Sequence, residues 1–131
     1  MDDCIFCKII NKEIPADKVY EDDNFLAFLD IQPVSTGHIL IIPKKHVVWM
    51  QDASDEMVTG IYMLTKKLMR AVKEGIGCDY VQISVVGTEI PHFHVHLIPR
   101  YFNDGLKKFP TIEYKKEEAP NIIKKIKEAI E

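Results

Sequence analysis

Long apolar runs are missing from this chain of 131 residues, and no stretch approaches the length of a membrane span. Its first residues, Met1-Asp2-Asp3-Cys4, are acidic and precede no apolar core. A secretory leader begins with a basic segment followed by an apolar one, so none is predicted. We therefore expect a soluble cytoplasmic protein that has no membrane partner.

Basic residues are not in excess either, since 17 lysines and arginines face 20 aspartates and glutamates, for a net charge of −3. A protein that coats nucleic acid carries a basic stripe, and this sequence has only short lysine pairs such as Lys44-Lys45. We therefore expect no nucleic-acid partner.

Cysteine is scarce, with three residues in an odd count. In a reducing compartment, the run Cys4-Ile5-Phe6-Cys7 indicates metal or redox chemistry rather than a disulfide. The isolated Cys78 is interpreted as a small buried apolar residue.

Apolar spacing predicts an α+β domain with an antiparallel sheet, because the strands are segregated around one long helix. That helix should run from about Ser54 to Glu74 and be stopped by Gly75 and Gly77. Turns at Glu21-Asp22-Asp23-Asn24 and Gly87-Thr88-Glu89 are short enough for hairpins. The other predicted elements are a first helix in 4–11, strands in 19–28 (two, split by a turn), 37–43, 80–86 and 92–99, and a helix from Ala119.

The run His92-Phe93-His94-Val95-His96 carries the strongest functional signal. On a strand, alternate side chains share a face, so the three imidazoles should form one row while Phe93 and Val95, with Leu97, face the core. A neutral imidazole can attack phosphorus and leave again, and a neighbouring imidazole can stabilise phosphoryl charge. The alternatives from these residues alone are a surface strand or a loose metal site.

The sequence resembles the histidine triad (HIT) family of nucleotide hydrolases and transferases, and most closely its Hint-like branch, which acts on nucleoside phosphoramidates. The resemblance covers about Cys4 to Tyr101. It implies a HIT-like fold in one domain, 1–131, with a five-stranded antiparallel sheet, one long helix, a short N-terminal helix and a C-terminal helical tail at about 117–131. The matching runs are Cys4-Ile5-Phe6-Cys7-Lys8-Ile9-Ile10, Glu13-Ile14-Pro15-Ala16, Ala27-Phe28-Leu29-Asp30-Ile31, Gly37-His38-Ile39-Leu40-Ile41-Ile42-Pro43-Lys44-Lys45-His46, His92-Phe93-His94-Val95-His96-Leu97-Ile98 and Ile98-Pro99-Arg100.

By this resemblance His94 is the nucleophile that forms a nucleotidyl-histidine at the α-phosphate. His96 stabilises that phosphate, and His38 supports the orientation of the triad. Asp30 matches the carboxylate that binds the ribose hydroxyls. The resemblance also implies an apolar pocket around a purine base, formed by Ile5, Phe6, Ile9, Phe28 and Ile31. It implies phosphate contacts from Gly87, Thr88 and Glu89. For the five apolar ones, the sequence alone equally allows plain core packing.

The loop before the triad departs from the family pattern, because Val86 and Thr88 stand where many relatives have amide side chains. The amide contact to phosphate is therefore expected to be missing. Backbone N–H groups near Gly87 and Glu89, and the Thr88 hydroxyl, can partly replace it. This departure leaves the substrate and the rate open.

The resemblance also implies a structural Zn²⁺ held by Cys4, Cys7, His46 and His92, since zinc favours four nitrogen or sulfur ligands. A redox pair, or a His46 that is only a polar residue before the long helix, remains the alternative. The family also forms homodimers, with the long helix and a neighbouring strand as the expected interface. Trp49 either contributes to that interface or covers the start of the helix in its own chain.

The leading expectation is a hydrolase of nucleoside 5′-phosphoramidates or related purine nucleotides. The alternatives are a dinucleoside polyphosphate hydrolase with the same His94 chemistry, a nucleotide-binding adaptor with weak catalysis, or a zinc-structured interaction module without a nucleotide site.

Overall fold

The fold is an α+β arrangement, seen in a computed structural model that describes residues 3–130. Five strands form one antiparallel sheet in the order β1-β2-β3-β5-β4. The predicted fold class is therefore confirmed. In chain order the elements are α1 (Ile5–Ile10), β1 (Lys18–Glu21), β2 (Phe25–Leu29), β3 (Ile39–Pro43), a 3₁₀ turn (Met50–Asp52), α2 (Asp55–Ile76), β4 (Tyr80–Ser84), β5 (Val95–Arg100) and α3 (Glu118–Ala129).

Helix α2 covers one face of the sheet. The Ser54 side chain accepts a hydrogen bond from the Met57 N–H and so caps its start. The helix continues through Gly75 and ends at Gly77, which adopts a left-handed conformation at φ 81°. The prediction that Gly75 stops the helix is therefore wrong, because only Gly77 has the backbone that a C-terminal cap requires. Its apolar stripe, which includes Ile61, Leu64 and Leu68, packs on Phe93 and on Val95 and Leu97 of β5.

Helix α1 packs against a second apolar cluster, built from the alternate residues of β2 and β3. Phe6 and Ile9 contribute from the helix, and Leu26, Phe28, Leu40 and Ile42 from the strands. Because the strands alternate their side chains, the sheet lies between α1 and α2. Among residues 3–130 no helix has both the length and the apolar character needed to cross a bilayer.

The two strands on either side of the loop before the histidines are shorter than predicted at the ends that face this loop. Regular pairing begins at Val95 rather than at residue 92, and β4 already ends at Ser84 instead of continuing to 86. The Phe93 N–H donates instead to the carbonyl of Val47, at 2.7 Å, so this part of the chain bonds to the segment after β3. The connection through Gly87-Thr88-Glu89 is consequently a long loop and not a tight hairpin.

Candidate functional site

The three histidines that precede and begin β5 are divided between two neighbouring groups. His92 is fully buried and meets two cysteines and His46. His94 and His96 line a cavity of about 690 Å³. One short segment therefore serves both a cysteine–histidine cluster and a ligand-sized cavity.

The cysteine–histidine cluster contains Cys4, Cys7, His46 and His92, whose ligand atoms all lie within 4.8 Å of one another. The Cys4 Sγ lies 3.3 Å from the His92 Nδ1, and the two imidazole Nδ1 atoms are 3.2 Å apart. A tetrahedral zinc with ordinary bond lengths separates such atoms by roughly 3.3 to 3.8 Å. The geometry of the predicted ligand set thus fits a closed zinc site.

Protonation in this cluster also fits a metal. The His92 Nε2–H donates to the Pro43 carbonyl at 2.8 Å, which leaves the Nδ1 lone pair facing the cysteines. Burial lowers the pKa of His92 to about 4, so this ring is neutral, as a ligand must be. Burial and the hydrogen bond with Cys4 raise the pKa of Cys7 to about 11. Metal binding at this cluster must therefore displace the proton of the Cys7 thiol.

His94 is held in a single tautomer. Its Nδ1 lies 2.7 Å from the carbonyl of His92, which can only accept a hydrogen bond, so Nδ1 carries the proton. The Nε2 then has the free lone pair. The ring is 5% exposed, lies edge-on to Phe6 with ring centroids 5.1 Å apart, and borders the cavity. A nucleophilic nitrogen at this position is available only to a ligand inside the cavity.

His96 has the complementary tautomer, which is set by a chain of two hydrogen bonds. The Val34 N–H donates to the Nδ1 of His38 at 3.0 Å, so the proton of His38 is on Nε2. That Nε2 lies 3.0 Å from the Nδ1 of His96 and donates to it, which leaves the proton of His96 on its own Nε2. The rings of His94 and His96, with centroids 4.9 Å apart, therefore present one acceptor and one donor.

Burial keeps these supporting imidazoles neutral. It lowers the pKa of His38, an effect that Asp30 opposes from 3.6 Å. It also lowers the pKa of His96 to about 4, with further lowering by the neighbouring His94 and His38. At neutral pH the donor from His96 is therefore an uncharged N–H.

The cavity has a buried floor and an exposed apolar rim. Phe6, Ile9 and Phe28 line it from the core, whereas Ile5 is 41% and Ile31 89% exposed at its edge. Core packing accounts for the floor, whereas the two exposed isoleucines leave apolar surface at the rim that an entering ligand can cover. The lining favours an apolar ligand group such as a purine ring.

Asp30 lines the same cavity, and its Oδ1 accepts the N–H of Gln32 at 2.9 Å. Two more carboxylates, Asp17 and Glu89, also line it. Within residues 3–130 the lining contains no lysine or arginine. The cavity therefore repels surplus negative charge on a ligand and receives no side-chain cation from this copy of the chain.

The loop before the triad is only partly in the cavity. Glu89 and Ile90 line it, whereas Gly87 and Thr88 do not, so contacts from those two to phosphate stay a prediction. The segment before β1 also lines the cavity, through Ile14, Pro15, Ala16 and Asp17. The sequence alone predicts no role in ligand binding for these residues, although the first three belong to the run at 13–16 that resembles the family.

Comparison with known proteins agrees with this geometry. The model of the HIT domain family matches residues 11–103. An adenosine 5′-monophosphoramidase of Saccharomyces cerevisiae is 42% identical over 102 residues, covering 74% of this chain and 62% of that one. The crystal structure of a HIT family member from Bacillus subtilis superposes with a TM-score of 0.88 at 36% identity, covering 98% of both chains. A zinc-bound histidine triad protein from Mycobacterium smegmatis gives 0.77 at 32% identity, again over 98% of both.

Proposed function

This chain belongs to the HIT domain family, and we propose that it hydrolyses nucleotides through a covalent nucleotidyl-histidine on His94. The observation that carries the proposal is the pair of opposed tautomers at the cavity, with the lone pair of His94 beside the N–H of His96. A relative in yeast is an adenosine 5′-monophosphoramidase, which supports the same reaction class.

The reaction follows from that pair. The Nε2 of His94 attacks the α-phosphorus, the bond from phosphorus to the leaving group breaks, and the leaving group takes a proton from water in the open cavity. The N–H of His96 hydrogen-bonds a phosphoryl oxygen as negative charge accumulates there. Water then attacks the same phosphorus and releases a proton to solvent, the bond from phosphorus to Nε2 breaks, and the free imidazole of His94 returns.

We further propose a nucleoside 5′-phosphoramidate as the substrate class, with Asp30 binding the ribose hydroxyls. The charge of the cavity supports this choice over a dinucleoside polyphosphate. Asp17 and Glu89 repel a polyphosphate leaving group, whereas an amine that becomes cationic on departure is attracted to them. A substrate panel tests the choice. We expect kcat/KM for adenosine 5′-phosphoramidate to exceed that for diadenosine tetraphosphate at least tenfold, and the reverse order overturns it.

The covalent intermediate has a direct test. The protein is mixed with adenosine 5′-phosphoramidate, quenched on the millisecond scale, digested and analysed by peptide mass spectrometry. We expect one adenylyl group on His94. His94→Asn should lose both the adduct and turnover while still binding adenosine 5′-monophosphate in calorimetry. Full turnover by His94→Asn would refute the nucleophile, and binding with no turnover in either protein would favour the adaptor alternative.

We propose that Cys4, Cys7, His46 and His92 hold a structural zinc. The support is the fit of their spacing and tautomers, together with the zinc-bound relative. Bound there, the ion would link α1 to the histidine segment. The backbone carbonyl of His92, a residue of this cluster, accepts the Nδ1–H of His94 and so orients the nucleophile.

We also propose a homodimer formed through β4 and α2. β4 is an outer strand of the sheet, and Ile83 on β4 and Met63 on α2 are exposed apolar side chains. Sedimentation analysis should give a dimer that Ile83→Lys dissociates, with Val19→Lys on the opposite outer strand as the matched control. A wild-type monomer at all concentrations would overturn this.

A further inference from the structure

The only tryptophan of the chain, Trp49, lies beside the loop that precedes the triad. A Cβ built on Gly87 would be 3.1 Å from the Cζ3 and 3.4 Å from the Cε3 of its ring, so the indole packs directly on the Gly87 backbone. The ring is nonetheless 40% exposed. Trp49 is therefore a surface residue in close contact with one loop rather than part of a core.

The backbone that carries Trp49 is anchored at both ends. On one side, the Val47 carbonyl accepts the Phe93 N–H within the histidine run, and His46 lies in the cysteine–histidine cluster. On the other side, the Trp49 carbonyl accepts the Asp52 N–H at 3.0 Å. The backbone that carries the indole is thus held in place relative to the triad.

The loop at 87–89, which contacts the indole, contains backbone N–H groups that are free to bind a ligand. Among the hydrogen bonds of residues 3–130, the backbone N–H groups of Gly87, Thr88 and Glu89 reach no protein acceptor. Gly87 has φ +82°, a left-handed conformation that turns successive N–H groups of a loop toward one side. Glu89 lines the cavity, and Gly87 and Thr88 directly precede it in the chain; since the lining from the described part of the chain contains no lysine or arginine, this loop offers backbone donors to a phosphate beyond His96.

We propose that Trp49 is a positioning residue whose indole fixes Gly87, so that the N–H groups of 87–89 meet the substrate phosphate. The inference rests on the proposed nucleotide site and extends it to a residue outside the cavity. It predicts that Trp49 responds to the phosphate of a ligand and not to its base or ribose.

Because the chain has one tryptophan, its fluorescence reports on this contact in the unaltered protein. The protein is titrated with adenosine 5′-monophosphate and with adenosine, and calorimetry measures binding in parallel. We expect a saturable emission change with the monophosphate and none with adenosine at saturation. If the monophosphate binds but emission stays constant, or if adenosine gives the same change, the inference is overturned. Absence of all monophosphate binding overturns the proposed function as well.

Kinetics of three variants separate positioning from a general structural role. Trp49→Ala should lower kcat at least tenfold while changing KM and adenosine affinity less than twofold, because phosphate contacts matter most in the transition state. Trp49→Phe keeps an aromatic face on Gly87 and should recover most of kcat. Met50→Ala, at the adjacent exposed position, should match wild type. Equal activity of Trp49→Ala and wild type, or equal losses in Trp49→Ala and Trp49→Phe, would refute the role.

Discussion

Zinc binding should raise the thermal stability of this protein by a predictable amount. A ligand that binds only the folded state at 100 times its dissociation constant stabilises by about 2.7 kcal/mol. For a chain of 131 residues, the unfolding entropy near the transition is about 0.28 kcal/mol per degree at roughly 2.1 cal/mol/K per residue. The transition temperature should therefore rise by about 10 °C. Differential scanning calorimetry of metal-free protein, titrated with zinc, measures it.

The residues of the proposed zinc site determine which substitutions should abolish this rise in transition temperature. Cys4→Ser removes a buried side chain of the proposed zinc site and should abolish the shift, whereas Cys78→Ser, a change at the buried cysteine outside the cluster, should preserve it. A second group, Asp30 with His38 and His96, also places three metal-binding atoms within 4.8 Å. Asp30→Asn therefore serves as the control for binding there. Loss of the shift in Asp30→Asn but not in Cys4→Ser would refute the assigned site.

The same shift should depend on pH. The raised pKa of Cys7, about 11, means that zinc displaces a proton from this thiol. For this one proton, the apparent binding free energy should weaken by about 1.36 kcal/mol for each unit of decreasing pH. A shift that is constant between pH 6 and 8 would contradict thiolate ligation.

Four further predictions concern the cavity. Burial lowers the pKa of His96 from 6.5 to about 4, so folding favours the neutral form of this ring. The free energy of unfolding, measured by urea titration, should therefore fall as the pH decreases from 6.5 to about 4, and His96→Asn should reduce that loss. Phe6→Ala should cost about 3–5 kcal/mol of unfolding free energy, and a loss below about 1 kcal/mol would contradict its core position. Asp30→Asn should weaken binding of adenosine 5′-monophosphate about tenfold, with no change for the 2′,3′-dideoxy analogue, if its carboxylate binds the ribose hydroxyls. Glu89→Lys should raise kcat/KM for diadenosine tetraphosphate relative to the phosphoramidate about tenfold, and an unchanged ratio would contradict the charge argument.

The spacing of apolar residues predicted the helices and strands well where one face of the element is buried. The spacing of Ile61, Leu64 and Leu68 indicated α2, and the alternation of Phe93, Val95 and Leu97 indicated which side of the histidine run is core. Periodicity missed the exact ends, because these depend on contacts between distant residues. The bond from Phe93 to Val47 delays β5, and no local rule shows that partner.

The sequence by itself determined the chemistry available, namely imidazoles at alternate positions, two thiols on one helical turn and a family-like order of motifs. Only the tertiary structure decided how those groups are used. It divided the histidine run between a cysteine cluster and a cavity, and it set the tautomers of His94 and His96 through acceptors and donors on other segments. It also brought Trp49 onto Gly87, 38 positions away. Hydrogen-bond partners and packing across the sheet depend on three-dimensional proximity, which residue order alone does not specify.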